Sequence, residues 1–134
     1  MNAVLAEGRS RPFTWGKWDC CIGLASEVTR AIRVDGKDFA RGWRGSYTTK
    51  VGAFRQLKKK AGVSSPSELA AQFFGISVSP AFARPGDLVS YQGCIGVMTG
   101  HEAVFIGCEM MGLDLNREGL VKVPRSDLTE AWYV

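Results

Sequence analysis

The chain is expected to fold as an α+β domain, with N-terminal helices packed on a small antiparallel sheet. Three observations predict this. Apolar residues recur at helical spacing through positions 21–32 and 51–61. Ser65-Pro66-Ser67-Glu68 carries the signals of a helix start. Beyond Pro80 the pattern changes to short apolar runs punctuated by Gly, Asn and Pro, the mark of strands and turns. The 134 residues form one domain, 1–134, large enough for a hydrophobic core.

Residues 1–18 read as an irregular lead-in, held to the core by Phe13, Trp15 and Trp18. From Asp19, a good N-cap, the apolar positions Cys21, Leu24, Ala25, Val28, Ala31 and Ile32 describe one helix face. Asp35-Gly36 ends that helix. Lys37 to Tyr47 is a loop. Thr48 or Thr49 caps a second helix through Val51, Phe54, Leu57 and Ala61, stopped by Gly62. A third has Ser65 as N-cap, Pro66 at the first helical position and Glu68 closing a capping box; it runs to about Phe74. Arg84-Pro85-Gly86-Asp87 is a turn. Strands follow at Leu88 to Tyr91, Cys94 to Met98, Ala103 to Gly107, Leu120 to Val123 and Ala131 to Tyr133.

Composition removes several function classes. A hydrophobic content of 46% with 22% charged residues is ordinary for a soluble globular protein. No apolar stretch reaches membrane-spanning length, and no basic segment followed by a long apolar run marks a signal peptide. The net charge of +4 owes much to Arg9, Arg11, Arg41, Arg44 and the run from Arg55 to Lys60. Without a nucleic-acid motif, that run reads as a solvated face, and no nucleic-acid partner is expected. Cysteines stand at 20, 21, 94 and 108, with no CxxC pair and no zinc spacing. No metal and no cofactor is expected.

Cys20 is the exception among the thiols. It falls on the first turn of the first helix, where the helix dipole favours thiolate and hence nucleophilicity. Cys20 is therefore the candidate nucleophile.

Trp18-Asp19-Cys20-Cys21-Ile22-Gly23-Leu24, followed by Arg84-Pro85-Gly86-Asp87-Leu88-Val89, resembles the NlpC-type papain-like cysteine peptidases. The resemblance implies a nucleophile helix and a first core strand, and an activity on cell-wall peptides. Three blocks look closer to a phage and prophage branch of that superfamily: Arg11-Pro12-Phe13-x-Trp15-Gly16-x-x-Asp19-Cys20-Cys21, Gly42-Trp43-Arg44-Gly45-x-Tyr47, and Ala131-Trp132-x-Val134. Members of that branch are typically encoded among tail-tip genes. The resemblance implies a tail-associated protein with other tail proteins, of the hub or tip, as partners. The resemblance further implies a protein made in the host cytoplasm and carried in the virion.

A peptidase of this type needs a histidine beside the thiol. The NlpC-type pattern opens the second core strand with it, and the chain has one histidine, His101. Two registers fit. In the first, Cys94 to Gly100 fills the pattern, Cys94 takes the histidine position and His101 falls in a turn at the far end of the strand. In the second, His101 to Gly107 fills it and His101 is the candidate base for Cys20. The first is preferred because it leaves Gly100-His101-Glu102 as a hairpin turn. Tyr47 and Asp19 line a vestigial cleft in that reading.

Three functions follow from these alternatives. The first is a tail-tip structural protein on a degenerate peptidase fold, using Trp43, Arg41 and Arg44 in an exposed loop as contact surface, with the core as an equal alternative for Trp43. The second is an active cysteine hydrolase, Cys20 with His101, cutting peptidoglycan stem peptides during genome entry. The third is a thiol redox or soft-metal site built from Cys20 and Cys94.

Overall fold

Gln92 and Gly93 both take left-handed backbone, with φ of 50° and 81°. That is the geometry of a two-residue hairpin turn, and it sets Tyr91 opposite Cys94. From this hairpin the sheet is built outward. A computed structural model describes residues 2–8, 14, 16, 18–19, 23–32, 43–106 and 120–134. Its strands are β1 (Leu88–Tyr91), β2 (Cys94–Met98), β3 (Glu102–Ile106), β4 (Leu120–Pro124) and β5 (Glu130–Trp132). They form one five-stranded antiparallel sheet in the order β4-β3-β2-β1-β5. The strands lie within a residue or so of the expected runs at the ends described.

The helices are α1 (Asn2–Gly8), α2 (Gly23–Ile32), α3 (Lys50–Gln56) and α4 (Pro66–Phe74). The fold class is therefore α+β. Both faces of the sheet are covered, and side chains alternate between them with the period of two that a strand imposes. Leu88, Ile95, Val97, Val104, Ile106 and Trp132 pack with Trp18 and with Leu24, Ala25 and Val28 of α2. Val89, Cys94, Met98, Ala103 and Phe105 turn the other way, toward Trp43, Tyr47, Ala53 and Leu57. Double coverage explains why every residue of β2 is buried and why its sequence carries no polar alternation.

Local signals set several ends. Thr49 caps α3, its hydroxyl accepting from Gly52 N at 3.0 Å. Ser65 caps α4, accepting from Glu68 N at 3.3 Å. The Glu68 carboxylate closes back on Ser64 N at 2.5 Å, one residue earlier than the standard capping box. Asp87 is buried and ties the turn before β1 together, accepting from Arg84 N at 2.9 Å and from Val134 N at 3.0 Å.

Two elements differ from expectation. The lead-in is helical over Asn2–Gly8, with Val4 and Leu5 against the α2 side of the core. A seven-residue helix is marginal alone in water, so packing rather than local propensity holds it. The second helix does not continue as α-helix: Leu57–Ala61 widens into a π-helical turn, ended by Gly62 at φ 68°. The expected helix start at residues 20–22, its end at Asp35-Gly36, and Phe13 and Trp15 lie outside the described residues.

Candidate functional site

The α2 start is held by a buried carboxylate. Asp19 is 1% exposed. Its Oδ2 accepts from Gly16 N at 2.7 Å and from the Tyr47 hydroxyl at 2.7 Å. Its backbone carbonyl accepts from Gly23 N at 3.1 Å, an i,i+4 bond at the mouth of α2. The loop that brings these groups together is tight. Thr14 and Trp18 exchange backbone bonds of 2.9 and 2.8 Å, with Gly16 at φ 83° between them. A Cβ on Gly16 would collide with the Tyr47 carbonyl oxygen, so only glycine fits that turn. Gly45 N donates to Gly16 O at 2.9 Å and closes the second side.

The Trp43 to Tyr47 loop is fastened to α2 as well. Arg44 Nη2 donates to Ser26 Oγ at 2.8 Å, and Ser26 donates to Gly23 O at 3.1 Å. Ser26 is fully buried. Trp43 is 9% exposed and belongs to the core on the Cys94 side of the sheet. Of the two places open to Trp43, exposed loop or core, the structure takes the core, while Arg44 stays half-buried. Burial of the Trp43 indole removes most of it from any contact surface, and Arg44 reaches inward to a buried hydroxyl. Arg41 lies outside the described residues.

Cys94 opens β2 and is fully buried, in the core cluster that also holds Tyr47, Val89 and Phe105. His101 sits in the exposed turn between β2 and β3. Thr99 bonds Glu102 O through its backbone N at 3.0 Å and its hydroxyl at 2.7 Å, which closes that turn. Arg125 pins it from outside, donating to Pro80 O at 2.6 Å, Ala83 O at 3.0 Å and Gly100 O at 2.8 Å.

Cys20 lies outside the described residues. Its described neighbours in sequence, Asp19 and Gly23, are held well away from His101. An added Cβ on Gly23 would stand 3.1 Å from Ile106 Cδ1. Ile106 ends β3 at the sheet edge where β2 begins. Four residues of β3, Glu102 to Phe105, separate it from His101, a rise of about 17 Å at roughly 3.3 Å per residue. The chain holds no second histidine. The Cys94 end thus gathers Gly16, Asp19 and Tyr47 near the mouth of α2, and the imidazole stands at the opposite end. Among the described residues no group of three His, Cys, Asp or Glu side chains is placed to hold a metal ion.

Sequence reasoning named Asp19 and Tyr47 but not their bond, which spans 28 residues. It missed a second feature. A groove of about 270 Å³ is lined by Trp43, Lys60, Leu69, Gln72 and Phe73. Its sequence signal, the basic run before Gly62, reads equally well as a solvated helix face.

Fold and site together define an α+β domain: a doubly covered antiparallel sheet with a buried Asp–Tyr pair at the mouth of one helix. The whole chain, residues 1–134, matches the family described as Domain of unknown function (DUF6950), and it belongs to that family. No curated protein and no solved structure matches it. Among the described residues no helix is long and apolar enough to cross a membrane.

Proposed function

We propose that this domain is a phage tail-associated interaction protein, built on an NlpC-like papain fold whose hydrolytic machinery has degenerated. The tail assignment rests on the three sequence blocks named above. One observation supports degeneracy: the chain's single imidazole, His101, lies in an exposed turn about one strand length from Ile106, beside which Gly23 packs. A general base works within hydrogen-bond reach of its nucleophile, about 2.6–3.2 Å. Cys94, at the head of β2, is buried and small, and a thiol there does not replace an imidazole as proton carrier.

The test is the alkylation rate of Cys20 against pH, read by mass spectrometry on the folded protein and on His101→Ala. Under this proposal Cys20 reacts as an ordinary thiol, indifferent to His101, and the protein releases nothing from peptidoglycan stem peptides. Fast reaction near pH 6 that slows in His101→Ala, with hydrolysis abolished by Cys20→Ala, replaces the proposal with the active hydrolase. Mass spectrometry of purified tails tests the location; absence of the chain from them refutes it.

A further inference from the structure

On the α2 side of the sheet the apolar face ends in a charged pair. Register sets Val104 opposite Lys122 and Ile106 opposite Leu120. With the two-residue period of a strand, Glu102, Val104, Leu120 and Lys122 therefore share one face. Further in, that face is core, with Leu88, Ile95 and Val97 on it. α2 packs over β2 and β3, with α1 beside it. Between α1 and the β3–β4 pair a cavity of about 420 Å³ opens, lined by Leu5, Thr99, Glu102, Val104, Leu120 and Lys122. That volume falls in the range of about 300–1,000 Å³ typical of small-molecule sites.

The floor is apolar: Val104 is buried, and Leu5 and Leu120 are half-buried. The charged groups are few and opposite in sign. Lys122 Nζ stands 3.6 Å from Glu102 Oε1, and their side chains are 72% and 41% exposed. The Thr99 hydroxyl proton is committed to Glu102 O at 2.7 Å. An ion pair this exposed contributes little to stability, so it parts at small cost. A ligand of one sign would gain one of the two charges and strand the other. A ligand that carries both signs on neighbouring atoms matches both: its ammonium sits beside the Glu102 carboxylate, its carboxylate beside the Lys122 ammonium, and the four charges alternate. An α-amino acid has that pair of groups on one carbon. Its side chain then extends onto Leu5, Val104 and Leu120, where a polar side chain would lose its hydration without a partner.

We propose that the cavity between α1 and the β3–β4 pair binds a free α-amino acid with an apolar side chain, its zwitterionic head set between Glu102 and Lys122. This goes beyond the preceding reading and is independent of it: Cys20 alkylation and the composition of purified tails test that reading, and a ligand titration tests this one.

The isotope-labelled full chain is titrated with L-leucine and followed by amide chemical shifts. Saturating shifts are expected at amides of β3, β4 and α1, with a dissociation constant in the millimolar range or tighter. N-acetyl-leucine removes the ammonium, isoamylamine the carboxylate and glycine the apolar side chain. Each is expected to bind roughly tenfold more weakly, because one charge-assisted contact or the apolar burial is lost. Glu102→Gln and Lys122→Gln are expected to weaken leucine binding by a similar factor. Both side chains are open to solvent, and an unchanged spectrum away from β3 and β4 establishes that the variants fold. No saturation by about 20 mM leucine, shifts scattered away from the cavity, or binding indifferent to both variants overturns the proposal. Equal binding of N-acetyl-leucine or isoamylamine also overturns it and leaves an apolar cavity without selection for a zwitterion.

Discussion

The two ends of the β2–β3 pair carry different halves of a chemistry. At the Cys94 end the surroundings are dry and fixed: a fully buried thiol, a buried carboxylate and a tyrosine hydroxyl bonded to it. At the Met98 end the imidazole of His101 stands in solvent, in a turn held by Thr99 and Arg125. Reactivity of the cysteine-peptidase kind needs both halves within hydrogen-bond reach. The length of β3 keeps the described parts of the two apart. The buried polar pair lies at one end, and the imidazole lies in an exposed turn at the other.

Four changes sharpen that contrast. The largest effect is expected from Asp19→Ala, which leaves the Tyr47 hydroxyl and Gly16 N buried without their acceptor. Loss of a charged acceptor serving two buried donors should cost about 3 kcal/mol in urea denaturation; a loss below about 1 kcal/mol would mean the carboxylate carries little of this end. Next is Cys94→His, which installs the imidazole the dry end lacks. Overfilling a fully buried site should lower stability by about 2 kcal/mol. If that variant instead folds at full stability, the Cys94 pocket has room for a base and the contrast weakens. Arg125→Ala comes third. It removes three bonds to loop carbonyls on a partly buried residue, and thermal or urea melts should report about 1.5 kcal/mol. The smallest effect belongs to His101→Ala, within about 0.5 kcal/mol as for other exposed turn positions, with Cys20 alkylation unchanged. A larger loss would give His101 a partner at this end that the contrast denies it.

The degree to which each element is legible follows from how far its determinants reach. The α4 start was readable because Ser65, Pro66 and Glu68 act within four residues of one another. The β1–β2 hairpin was readable because turn residues and apolar runs are adjacent, and Gln92-Gly93 supplies the positive φ that the turn needs. The helix α1 was not: nothing local distinguishes Asn2–Gly8 from a lead-in until Val4 and Leu5 find the core. Nor was the π-turn, since Lys58-Lys59-Lys60 is compatible with an ordinary helix face.

The candidate site divides the same way. Asp19 at a helix mouth and His101 in a turn are both statements about neighbours in sequence. The Asp19–Tyr47 bond, the seat of Trp43 in the core and the inward reach of Arg44 to Ser26 join residues 18 to 28 apart or more. Caps, turns and periodicity are short-range, enforced by backbone sterics and local hydrogen bonds, and they leave a trace in residue order. Which face of the sheet receives each loop, and hence which polar groups meet, is decided by burying apolar area on both faces at once. That is a property of the assembled chain, and no single segment encodes it.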